Sequence, residues 1–105
     1  MRRGDVYEFR PPRRRGHEQR SKRYGVVVQA DALLPRSAVI VVPTSRSARP
    51  ASFRPEIAVD GQSTKVLVEQ IGALDATRLG DLVGHASPEE MWGLDEALMT
   101  VLGLL

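Results

Sequence analysis

No cysteine occurs among the 105 residues, which excludes disulfide frameworks and thiolate metal sites. A reducing, cytoplasmic setting is the expectation that fits this absence. Histidine is nearly as scarce: His17 and His85 lie too far apart for metal-ligand spacing, so neither a metal nor a cofactor is expected. With two Tyr, two Phe and one Trp, any core must be built from aliphatic side chains. No apolar run approaches the roughly 18 residues of a membrane span. Met1-Arg2-Arg3-Gly4-Asp5 also lacks the apolar stretch of a secretory signal, so no membrane partner is expected.

What is present is a chain long enough for one domain, residues 1–105, with a thin interior. Its net charge of +2 is unevenly distributed. Residues 1–25 carry nine Lys or Arg against three acids and residues 26–55 carry four against one, whereas residues 56–105 carry two against nine. One end of the molecule is therefore a candidate surface for a polyanion, because phosphate neutralisation by Lys and Arg is the usual source of nucleic-acid affinity. The competing reading is a merely solvated basic loop.

Hydrophobic alternation points to short strands. Gly4 to Phe9 alternates as a half-buried strand, ended by Pro11-Pro12, which remove two backbone donors. Arg13-Arg14-Arg15-Gly16 follows as a basic loop. Val26-Val27-Val28 is β-branched throughout and reads as a strand packed on both faces. Arg23 thus stands at the mouth of a buried strand, where a rigid scaffold can aim it. Ser37 to Val42 is a second core strand running into Pro43-Thr44-Ser45, and residues 46–55, with three arginines and two prolines, read as an exposed loop.

In the second half, Glu56 to Asp60 and Thr64 to Ile71 are expected strands, with Gly61 turning between them. Asp75 caps one helical turn reaching Leu79, and Leu82 to Ala86 is a brief closing strand. Ser87, Pro88 and Glu90 form the clearest helix start in the chain, a capping box with proline at the first helical position. Met91, Leu94, Leu98, Val101 and Leu102 share one face of that helix as core or dimer contacts, and Gly103 can end it. Five or six strands and one terminal helix, with no βαβ repeat, indicate a mainly β fold: a small antiparallel barrel with a C-terminal α-helix. Function on such a barrel belongs to the loops at its rim.

The order of several short motifs carries a resemblance. They are Arg3-Gly4-Asp5-Val6-Tyr7, Gly16-His17-Glu18-Gln19 with Arg23 four residues on, Val42-Pro43-Thr44-Ser45, Val68-Glu69-Gln70-Ile71, Leu74-Asp75 and Arg78-Leu79, then the capped helix. In this order the chain resembles the MazF/PemK (Kid) family of type II toxins nearly end to end. The resemblance implies an SH3-like barrel of the MazF/PemK/CcdB kind, a homodimer, a MazE-like antitoxin, and metal-independent cleavage of single-stranded RNA at short sequences, which would halt translation and growth. By the same resemblance Arg23 stands at the catalytic arginine, Thr44 at the threonine contacting the scissile phosphate, Glu69 at an acidic position near the site, and His17 where some members have histidine. Two positions depart from the pattern: Tyr24 stands where proline usually follows the arginine, and Gly72 stands where many members carry arginine.

The chemistry can also be argued without the family. Metal-free cleavage uses the RNA's own 2′-hydroxyl as nucleophile, leaving a 2′,3′-cyclic phosphate and a 5′-hydroxyl. It needs a base, an acid and cationic support for the phosphorane. Arg23 suits the last role through its permanently charged planar fork. Thr44 can donate a hydroxyl, and His17, Glu18 and Glu69 are the candidates that titrate. Candidate RNA contacts are Arg13, Arg14 and Arg15 for phosphate steering, Gln19, Arg20, Lys22 and Glu18 in the same loop, Tyr24 for base stacking, and Ser45, Arg46 and Gln70 at the rim. Each has a structural alternative: Arg23 pairing with Glu18 or Asp5, Glu69 with Arg78, Tyr24 as a barrel wall. The alternative function is a toxin on the same barrel that poisons a protein such as DNA gyrase, since fold alone does not separate the two.

Overall fold

In a computed structural model of the chain, which describes residues 1–10 and 23–105, the alternating segments pair into seven antiparallel strands. These are β1 (Asp5–Phe9), β2 (Tyr24–Val27), β3 (Ala38–Ser45), β4 (Glu56–Val59), β5 (Gln62–Val66), β6 (Gly72–Asp75) and β7 (Leu79–His85), followed by helix α1 (Pro88–Leu102). Their order is β4-β5-β3-β2-β1-β7, with β6 joined to β3. β3 organises this arrangement. One of its edges pairs with β2 from Val41 to Pro43. Its other edge is shared, by β6 along Ala38–Val41 and by β5 at Thr44–Ser45. A strand that changes partner midway must bend, and the sheet curls with it into an open, barrel-like wall.

The valine triplet behaves as its branching dictates. Val26 and Val28 enter the main core with Val6, Val42, Ile57, Val59, Val66, Val68, Leu94 and Ala97, whereas Val27 joins Val39 and Val41 in a second cluster on the opposite face. Gly25 is required beside them, because a Cβ there would lie 2.4 Å from the Phe9 ring. Leu94, fully buried, brings α1 onto the main core. Glu90 does two jobs at that junction: one carboxylate oxygen accepts from Ser87 N at 2.9 Å to complete the capping box, and the other accepts from Ala58 N at 2.8 Å on β4.

Three elements differ from the sequence-based reading. The expected strand Thr64–Ile71 ends at Val66 and gives way to a 3₁₀ turn over Val68–Gln70, closed by Gln70 N to Leu67 O at 2.8 Å. An apolar run without Gly or Pro carries no mark of such a turn. The chain then starts a further strand, β6, and the closing strand is longer than expected because β1 pairs with it from His85 to Leu79. Of the helix face read as core or dimer contacts, Leu102 is 51% exposed and so outside this chain's own core, while Ala97 is buried in it.

At the base of β1, Asp5 is almost fully buried and His85 on β7 lies opposite it. The carboxylate can only accept, so His85 Nδ1 donates to Asp5 Oδ1 at 2.7 Å, and Arg2 N donates to Oδ2 at 2.8 Å. Burial alone would raise the Asp5 carboxyl; the hydrogen bonds from His85 and Arg2, with their charges, outweigh it and hold the group below the usual carboxylate range. A depressed folded pKa contributes stability that is present above the unfolded value, about 3.9, and is lost as pH falls through the folded value. Asp5→Asn is therefore expected to lower stability at pH 7 by about 1–3 kcal/mol and to flatten its decline below pH 4. Urea titrations at pH 7 and pH 3 check this, and an equal decline in both proteins would remove Asp5 from the account.

Candidate active site

Arg23 lies immediately before β2, and its carbonyl accepts from Phe9 N at 2.9 Å, so the backbone that carries it is pinned to β1. On the neighbouring strand β3, Thr44 is placed by its pairing with Val66 and is 2% exposed. Both residues line one open cleft of about 700 Å³, with Tyr24, Ser45, Arg46, Ser47, Thr64, Leu67 and Gln70. The cleft exists because of the 3₁₀ turn described above: by leaving the strand path after Val66, the chain brings Leu67 and Gln70 to the end of β3.

Thr44 Oγ1 donates to Tyr24 O at 3.3 Å. That bond is long and weak, so the hydroxyl can rotate to an incoming acceptor. Tyr24 is packed against the main core and also lines the cleft.

Glu69 has a different place. It is absent from the cleft lining, and Arg54 grips it from Nη2 at 2.6 Å and Nε at 3.1 Å, where sequence reasoning had offered Arg78. The hydrogen bond from Arg54 holds the Glu69 carboxyl below its ordinary range. A carboxylate so held suits a brace better than a proton acceptor. Arg54 is in turn fixed by its bond to Arg49 O at 3.0 Å and by the Phe53 ring, 5.7 Å from its guanidinium carbon, so this arginine of the loop 46–55 is not a free cation. Asp5, the other acid offered to Arg23, is occupied by His85 and Arg2.

Of the remaining sequence candidates, Ser45, Arg46 and Gln70 come together with Arg23 and Thr44 in the cleft. Arg13, Arg14, Arg15, His17, Glu18, Gln19, Arg20 and Lys22 lie outside the described residues. Thr64 and Leu67 were not foreseen in the cleft. For Thr64 a signal existed: it sits two residues before Val66 on the core-facing period of β5, where a hydroxyl is out of place unless it serves something. Among the described residues no group of three or more His, Asp or Glu could hold a metal ion, and no helix is long and apolar enough to cross a membrane.

Comparison with known proteins adds to this geometry. Over 92 residues the chain is 45% identical to a Mycobacterium tuberculosis protein named "Putative toxin Rv3098A", covering 87% of this chain and 86% of that one. Its fold superposes with a TM-score of 0.80 on a mycobacterial endoribonuclease solved with its cognate antitoxin, at 23% identity and over 100% and 97% of the two chains. For MazF of Deinococcus radiodurans the TM-score is 0.75 at 20% identity, over 98% and 96%. The model of the PemK-like, MazF-like toxins of type II toxin–antitoxin systems matches residues 2–102. With its curled sheet, its C-terminal helix and a match running almost the whole length, this chain belongs to the PemK-like, MazF-like family of type II toxins.

Proposed function

We propose that the cleft binds single-stranded RNA and cleaves it by attack of the 2′-hydroxyl on the adjacent phosphorus, without a metal. The observation that carries this reading is the meeting of Arg23 and Thr44, 21 positions apart in sequence, in one cleft. Arg23 supplies the charge-assisted donors for the phosphorane oxygens, and Thr44 the hydroxyl beside them. The O2′–P bond forms as the P–O5′ bond breaks; the 2′ proton passes to a base and another proton reaches the departing 5′ oxygen. A guanidinium stays charged and carries only donors, so it is ill suited to accept that proton. His17 is the candidate for that base, since imidazole as a class exchanges its proton near neutral pH.

The test is incubation of the purified protein with an unstructured RNA in EDTA. Fragments ending in 2′,3′-cyclic phosphate and beginning with 5′-hydroxyl are expected. Intact RNA, or cleavage that needs added divalent metal, would overturn the mechanism.

The structural relatives solved as complexes with an antitoxin support a protein antagonist. A MazE-like antitoxin with an acidic segment matches the thirteen Lys and Arg of the first 55 residues and would cover the cleft. Trp92, 70% exposed on α1, and Leu82, 57% exposed on β7, are apolar groups suited to a homodimer contact. Sedimentation at micromolar concentration is expected to give the dimer mass, and a monomer there would remove the dimer from the reading.

A further inference from the structure

Beside the main cleft, and sharing Tyr24, Arg46 and Thr64 with it, lies a smaller hollow of about 80 Å³ completed by Val59, Asp60 and Gln62. The reaction described above uses none of these three, nor Thr64. Thr64 is 3% exposed, yet no residue among those described hydrogen-bonds to its hydroxyl, and that oxygen is not sealed from the surface. A nearly buried hydroxyl in a wall between two cavities, left without a protein partner, is a contact in wait of a ligand.

Thr64 belongs to the β4–β5 hairpin, where it stands opposite Ile57. β4 and β5 pair from Glu56↔Lys65 to Val59↔Gln62, and Asp60 turns at φ 57° with Gly61 at φ 75°. Asp60 makes no ion pair among the described residues. Arg46 Nη1 donates to Gln62 Oε1, tying the end of β3 to the hairpin. The Gln62 amide N–H groups stay without a partner among the described residues.

We infer that this hollow is a nucleobase pocket flanking the scissile linkage, and that it takes a base carrying an exocyclic amino group; the inference rests on the ribonuclease reading above. A carboxylate repels phosphate and can only accept hydrogen bonds, so Asp60 selects a group that donates. Tyr24 supplies an aromatic side for a flat ring, which favours a base over a ribose hydroxyl. Adenine, cytosine and guanine each carry an amino group that Asp60 can bind. Uracil has one N–H flanked by two carbonyl oxygens, which the carboxylate repels, so it is disfavoured.

The experiment is cleavage of a randomised RNA pool by the full chain, with sequencing of the new 5′-hydroxyl ends and base frequencies normalised to each protein's own total cleavage. The parent is expected to discriminate against uracil at one position near the cut. Asp60→Asn tolerates the left-handed backbone and replaces one acceptor oxygen with a donor, and Thr64→Val removes only the hydroxyl. Each is expected to relax the discrimination at that position by roughly tenfold, leaving preferences elsewhere as they are. Unchanged base frequencies at every position in both variants would overturn the pocket while sparing the ribonuclease reading. Loss of all cleavage in both variants, with unaltered melting, would also overturn it by moving these residues into the chemistry. No cleavage by the parent protein would fell both readings.

Discussion

Arg23→Ala is expected to reduce RNA cleavage by about two to three orders of magnitude or more, the loss found when a main charge-stabilising donor is removed from a transition state. The reason is geometric as well as electrostatic. The Arg23 backbone is anchored to β1 through Phe9 N, and its side chain is an exposed group at the cleft that also holds Thr44. Removing an exposed side chain leaves the valine core of β2 untouched, so melting should barely change. Arg23→Lys restores the charge but not the planar fork, and should recover only part of the rate, because a point charge cannot hold two phosphate oxygens in fixed orientation. Single-turnover cleavage of one defined oligonucleotide measures all three proteins. Activity of Arg23→Ala equal to the parent, with contaminating nuclease excluded, would separate this arginine from the chemistry.

Leu94→Ala should have the largest effect on stability, a loss of about 2.7–5 kcal/mol. Leu94 has no exposed surface and is the main residue by which α1 enters the core formed by Val6, Val26, Val42, Ile57, Val59, Val66 and Val68. Valines locked in strands cannot close over the vacated space, so the cavity penalty adds to the lost transfer energy. For a domain of this size the melting temperature should fall by on the order of 10 °C or more. Leu102→Ala, on the same helix but 51% exposed, should cost less than about 1 kcal/mol. Urea denaturation of the two variants compares them directly. Equal losses would mean that the helix docks by a different face.

Part of this protein was legible without coordinates. The helix start needs only Ser87, Pro88 and Glu90, because a capping box is satisfied within one turn, and the structure forms it with the Ser87 and Glu90 bonds in both directions. The two-faced burial of Val26–Val28 follows from β-branching, and the Asp75 cap on Thr77 N from local hydrogen-bonding alone. The motif order also pointed to the family.

What sequence could not decide involves partners remote in the chain. Glu69 beside Gln70 reads equally as a site carboxylate or as half of an ion pair, and only the fold gives it Arg54, 15 positions earlier, as partner. Asp5 and His85 are 80 positions apart and meet only because β1 pairs with β7. Thr64 looks like one residue of an ordinary strand; its unpaired hydroxyl acquires meaning only once the chain turns away at Val68 and Asp60, Gln62 and Tyr24 close around it. Local chemistry sets caps, turns and strand character because its partners are a few bonds away. Which carboxylate is bound, and which hydroxyl is left open, is decided by strand register, and register is a property of the folded sheet as a whole.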